Sequence, residues 1–114
     1  MVVKVNGTSG LIFPDNTTQA TAGTAFAVNQ TWQAVSRSSG VTYTNSTGKP
    51  IVVSVARYGG NGSQTTLYVN GNIAGQVQVD QYGGSEQMVT IVPNGATYAI
   101  YNSNGLISGC WELR

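Results

Sequence analysis

Histidine is missing from this chain of 114 residues, cysteine occurs once, and acidic side chains number four. Each shortage closes off a kind of chemistry. Without histidine, and with Cys110 as the lone thiol, one chain cannot assemble the usual zinc ligand sets, and no intrachain disulfide can form. A calcium site shared between subunits stays open, but no motif points to one, so neither metal nor cofactor is expected. The carboxylates Asp15, Asp80, Glu86 and Glu112 leave little for acid–base work. A glycosidase needs two of them roughly 5–9.5 Å apart across a cleft. Asp80 and Glu86 flank one loop, but so short a chain has little room for such a cleft, and no enzymatic activity is expected.

Charge is equally scarce, at 8% of residues against about 25% in an average soluble protein. The net charge of +1 is spread over Lys4, Arg37, Lys49, Arg57 and Arg114. No cluster neutralises adjacent phosphates, so nucleic acid is not an expected partner. No apolar run approaches the ~18 residues of a membrane helix, and the first residues lack the features of a signal peptide. The expectation is a soluble, unprocessed chain without membrane insertion, in which the sequons NGT, NTT, NQT and NST are simply threonine-rich β composition.

Glycine, serine, threonine, asparagine and glutamine fill the space that charge leaves. Apolar residues alternate instead of recurring at helical spacing, which predicts an all-β fold. Strands are predicted over 2–6, 32–35, 41–45, 51–58, 64–70, 73–79, 86–92, 96–102 and 107–113. In the sixth, Ile73, Gly75, Val77 and Val79 form the face predicted to be buried. The segment LYVNGNIAG predicts a hairpin with Asn70 and Gly71 at its apex. A strand about every ten residues, with short turns, favours an antiparallel β-sandwich or jelly-roll.

Residues 1–29 stand apart. They hold too few large apolar side chains for a core, yet Leu11, Ile12, Phe13 and Phe26 together would make a sticky patch. Burial of these four against other copies is the economical solution, so the segment reads as built to associate, ahead of a β domain at 30–114.

The stretch GLIFPDNTTQATAG at 10–23 resembles the Gly-x-x-Phe-Pro-Asp-Gly-Thr-x-Gln-Thr segment of tail fibres and related adhesins of tailed bacteriophages, with Asn16 in place of a glycine. The remainder resembles a terminal domain of such fibres through TWQAVSRSSGVTYTNSTGKPIVVSV and the ending CWELR, with Trp32, Tyr43, Asn45, Thr47, Pro50, Ile51 and Trp111 as anchors. The resemblance implies a homotrimeric fibre tip in the virion, mediating attachment to the bacterial surface, with 1–29 as a short intertwined β stalk that trimerises through Leu11, Ile12, Phe13 and Phe26 and attaches the fibre, and 30–114 as the head. Its partners would be a surface glycan or outer-membrane receptor and, at the N-terminal end, another virion protein. The chain would be either a short fibre on an adaptor or the end of a longer one. A structural virion protein, such as a head fibre or decoration trimer, is the alternative.

For receptor binding, tyrosine offers a flat apolar face and one hydroxyl at low entropic cost. If Leu67 and Val69 face inward, Tyr68 faces out; if Tyr98 and Ile100 face inward, Tyr101 faces out. The loops ARYGGNGSQ and VDQYGGSEQ each set a tyrosine before Gly-Gly. Tyr58, Asn61, Gln64, Asp80, Gln81, Tyr82 and Glu86 are therefore candidates alongside Tyr68 and Tyr101, although plain hairpin turns use the same residues. Trp111 falls in the inward register of Ile107, Gly109 and Leu113, Trp32 leads its strand, and a packed core or a trimer axis accounts for both. Cys110 is read as a buried thiol.

Overall fold

Where the sequence predicts separate strands at 51–58 and 64–70, and again at 96–102 and 107–113, the structure has two long continuous ones. The computed structural model describes residues 4–7, 10–12, 14–15, 18–19 and 27–114. Among them there is no helix, and the strands are β1 (Lys4–Asn6), β2 (Gly10–Ile12), β3 (Thr18–Gln19), β4 (Trp32–Ala34), β5 (Thr42–Thr44), β6 (Ile51–Val69), β7 (Asn72–Gln78), β8 (Gly84–Val92) and β9 (Thr97–Leu113). The protein is all-β and every strand pairing is antiparallel.

The first three strands form a small sheet in the order β1-β2-β3. Pro14 and Asp15 make the turn after β2, and where the sequence predicts one strand at 2–6 the segment holds three. Leu11 and Ile12 lie in β2, whereas Phe13 and Phe26 lie outside the described residues.

The other six strands form one sheet around β6 and β9, which pair from end to end. At 19 and 17 residues both exceed the usual strand length of about 3–10, and a bend divides them. Gly59 faces Gly105 and Gln64 faces Ser103, so 60–63 of β6 oppose only Asn104. An excess of this kind on one strand turns the ribbon sharply. Before the bend β6 is flanked by β8 and by the second half of β9, which carries β4. Beyond it β6 is flanked by β7 and by the first half of β9, which carries β5.

The two half-sheets share one core. Ile51, Val53, Val55, Met88, Val92 and Cys110 from the first half cluster with Leu67, Tyr98 and Ile100 from the second. Arg57, fully buried, spans the bend: its Nε donates to Thr65 Oγ1 at 2.9 Å and its Nη2 to Ser63 Oγ. Thr65 Oγ1 in turn donates to Asn102 Oδ1 at 2.7 Å. Asn45, 2% exposed, ties two turns together by donating from Nδ2 to the carbonyl oxygens of Lys49, Val92 and Pro93. Its Oδ1 accepts from the Thr47 backbone N–H and hydroxyl.

Two expectations are corrected, and both failed at a one-residue slip. Leu67 pairs with Gly75 but Tyr68 with Ile73, which leaves Ala74 as the extra residue of a bulge. Ile73 is thereby turned from the core face to solvent, at 61% exposure. Likewise Ala56 pairs with Gly109 but Arg57 with Ile107, leaving Ser108 over. Beyond that slip Cys110 and Glu112 point inward, and Trp111 stands on the outer face instead of in the core.

Candidate functional site

The outer face of the second half-sheet carries neutral side chains around two tyrosines. By register Gln64, Thr66 and Tyr68 of β6 share the outer face, with the core side chains Thr65 and Leu67 between them, although Thr66 is itself buried at 6% exposure and held by Gln76. Strand β9 adds Tyr101 between the buried Ile100 and the half-buried Asn102. Thr66 pairs with Tyr101 and Tyr68 with Ala99, so the two tyrosines are diagonal neighbours on one face. Their rings meet edge to face, with centroids 5.4 Å apart and planes at 84°, an arrangement the ring quadrupoles favour.

Two shallow depressions flank this pair. One, of about 350 Å³, is lined by Thr42, Tyr68, Gly71, Thr97, Tyr98, Ala99 and Tyr101. The other, of about 210 Å³, shares Tyr101 and is completed by Ser39, Gln64, Thr66, Asn102 and Ser103. Hydrogen bonds fix the walls. Gln76 Nε2 donates to Thr66 Oγ1 at 3.1 Å, Ser39 Oγ accepts from the Asn102 N–H at 2.9 Å, and Ser103 Oγ accepts from the Gln64 N–H at 3.1 Å. The hairpin at Asn70 and Gly71 closes one end as predicted, both residues having positive φ, and Asn70 Oδ1 accepts from the Thr97 N–H at 3.0 Å.

Tyr98 also borders the larger depression, but its side chain is buried in the core cluster. There its hydroxyl accepts from Arg37 Nε at 2.6 Å and donates to Glu112 Oε1. Burial, reinforced by the bond to Glu112, pushes this phenol well above its ordinary value.

Of the candidates read from the sequence, the structure joins Tyr68, Tyr101 and Gln64 in this groove. Asn61, Asp80, Gln81 and Tyr82 sit at the bend, where the two Gly-Gly loops meet: the Gly62 N–H donates to the Asp80 carbonyl, and the Val79 N–H to that of Ser63. Gly83, with φ of 75°, lies where a Cβ would come within 2.7 Å of the Gly59 carbonyl oxygen, so the repeated glycines serve close backbone approach. Asp80 Oδ1 accepts from the Tyr82 N–H at 2.9 Å, and Tyr82 is 85% exposed. Tyr58 and Glu86 belong to the first half-sheet, away from the tyrosine pair.

Thr42, Thr66, Thr97, Ser39 and Ser103 escaped the sequence reading. Their signal was the polar half of each alternation, as in Thr42 and Thr44 either side of Tyr43. Among the described residues, no group of three or more His, Cys, Asp or Glu side chains is placed to hold a metal, and no carboxylate lines either depression. What the groove offers is aromatic surface, hydroxyls and amides without charge, the complement of a neutral polyhydroxylated ligand. The chain matches no protein-family model and no curated protein sequence.

Proposed function

We propose that the chain is an attachment protein of the bacteriophage tail-fibre kind, binding a glycan of the bacterial surface through the Tyr68–Tyr101 groove. The observation that carries this reading is the pairing of those two rings on an open face whose other groups are neutral hydrogen-bonding side chains. Sugar rings stack their C–H faces on tyrosine and exchange hydroxyl hydrogen bonds with threonine, serine and glutamine. The resemblance of 10–23 and of the head sequence to fibre segments supports the biological setting.

In this reading the two half-sheets are the layers of a sandwich-like head, three heads share one fibre in the virion, and residues 1–29 provide the stalk and a contact with another virion protein. Weak binding by each head is multiplied by the number of copies.

The test is binding of the full chain to immobilised lipopolysaccharide and capsular polysaccharide from a panel of bacteria. Tyr68→Ala and Tyr101→Ala are each expected to weaken binding at least about tenfold with the fold intact. Equal binding by both variants, or no binding by the wild type, would favour a structural virion protein instead.

A further inference from the structure

The first half-sheet presents a very different outer face. Trp32 and Trp111 are 54% and 37% exposed, and Val89, Ile91, Tyr58 and Leu106 each exceed 50%. Register puts all six on one side: Trp111 lies opposite Ser54, as does Val89, while Ile91 lies opposite Val52, Leu106 opposite Tyr58, and Trp32 opposite Leu113. Among the described residues, none of the outward positions of these strand segments holds a charged side chain. At these exposures the six leave on the order of 600 Å² of apolar surface open. That is the top of what a monomer shows, and near the ~800 Å² per partner of a standard interface.

The face also has a shape. A depression of about 260 Å³ is bounded by Trp32, Trp111, Ser54 and Gln87. Ser54 is the small residue in its middle, and Gln87 Nε2 donates to its hydroxyl at 2.6 Å. On β8, Val89 and Ile91 project beyond the sheet. One face thus carries both a hollow and the branched side chains that would fill one. An uncharged surface calls for an uncharged partner, and a copy of the same face supplies hollow and projection together. The hollow runs across the half-sheet from Gln87 on β8 to a tryptophan wall on β9 and β4, and β4 is the first strand after residues 1–29, so copies joined through that segment bring the tryptophan walls toward one another.

We infer that this face is covered by further copies of the chain, the Val89 and Ile91 edge of one head seating in the Trp32–Trp111 hollow of the next around a closed ring. Three as the copy number rests on the fibre reading; the face does not, and neither does it depend on the tyrosine groove.

The experiment uses the full chain, its mass from light scattering and the fluorescence of Trp32 and Trp111, which are its only tryptophans. The expected result is a trimer whose tryptophans resist acrylamide quenching. The double variant Val89→Glu, Ile91→Glu should keep its far-UV circular dichroism and become freely quenched, whether or not residues 1–29 still hold the copies together. Since both side chains point to solvent, loss of folding is not expected, and the quenching of the wild-type chain tests the face even if the variant fails. A wild-type oligomer with freely quenched tryptophans, a folded variant whose tryptophans stay shielded, or a wild-type monomer would each overturn the inference. Tyr68→Ala and Tyr101→Ala should leave mass and quenching unchanged, so a failure of glycan binding would remove the groove's function and leave this face standing.

Discussion

Tyr98 and Glu112 belong to the same strand, fourteen residues apart, and yet the Tyr98 hydroxyl donates directly to the Glu112 carboxylate. The contact exists because β9 bends: Tyr98 lies in one half-sheet, Glu112 in the other, and the bond closes the fold between them. Arg37 completes the cluster, donating from Nε to Tyr98 and from Nη2 to Glu112 at 2.7 Å, with its guanidinium 4.3 Å from the centre of the Tyr43 ring. Arg114 Nη1 approaches the other carboxylate oxygen at 3.2 Å.

Removing Glu112 leaves Arg37 without its anion and the buried Tyr98 hydroxyl without its acceptor. Glu112→Ala is expected to destabilise by on the order of 3 kcal/mol. Equilibrium unfolding in urea checks it, and a change below about 0.5 kcal/mol would show that the cluster does not hold the halves together.

High pH should loosen the same closure. The free phenol ionises near 10, and the folded Tyr98 keeps its proton well beyond that, because of its burial and its bond to Glu112. Above pH 10 the folded state therefore holds more protons than the unfolded one, so stability falls as pH rises through this window and is fully present below it. Burial also pushes the Cys110 thiol from 9.0 to about 11, which adds a slope of the same sign beginning near pH 9. Urea midpoints from pH 8 to pH 11 should decline, and Tyr98→Phe should flatten the part above pH 10.

Cys110 is 3% exposed and its thiolate is disfavoured, so alkylation at pH 8 should proceed only through unfolding. The labelling rate in native buffer is expected to lie orders of magnitude below that in urea. Comparable rates would contradict the packing of the core around it.

Asn45 spends its whole amide on the 45–50 and 92–95 turns. Asn45→Ala is expected to cost about 2–3 kcal/mol, several buried bonds being lost together. Asn45→Asp should be worse, since it sets an acceptor against three carbonyl oxygens. Thermal unfolding of both variants checks the order.

The bulge at Ala74 can be tested by contrast. Ile73→Thr, on the solvent side, should stay within about 0.5 kcal/mol of wild type. Val77→Thr, packed against the core, should be clearly destabilised. Equal losses would mean that the unbroken alternation from Ile73 to Val79 was right after all.

Alternation made the β character, the Asn70–Gly71 hairpin and the outward placing of Tyr68 and Tyr101 legible, because each tyrosine adjoins an apolar residue that had to be buried. It also misled. A one-residue slip exchanges the faces of everything beyond it; Gly75 and Gly109 adjoin the extra residues Ala74 and Ser108 and are the kind of in-strand glycine that marks a bulge, but the alternation was read straight through them, so Ile73 and Trp111 were read on the wrong sides. The Gly-Gly loops drew attention as binding loops, although the closeness of Gly83 to the Gly59 carbonyl gives those glycines a steric purpose. Thr42 and Thr97 were missed because the pairing of β5 with β9 spans more than fifty residues, and nothing local announces it.

The bend in β6 and β9 has a mechanical consequence. Both strands run unbroken from the tyrosine groove of one half-sheet to the tryptophan face of the other. A pull on a ligand held at Tyr68 and Tyr101 would thus travel along two covalent backbones into the surface by which the heads are inferred to grip each other. It would not have to cross the soft layer of side chains between the half-sheets. Tension would reach the assembly as shear on paired strands, the direction in which a hydrogen-bonded ladder resists as a whole and not bond by bond.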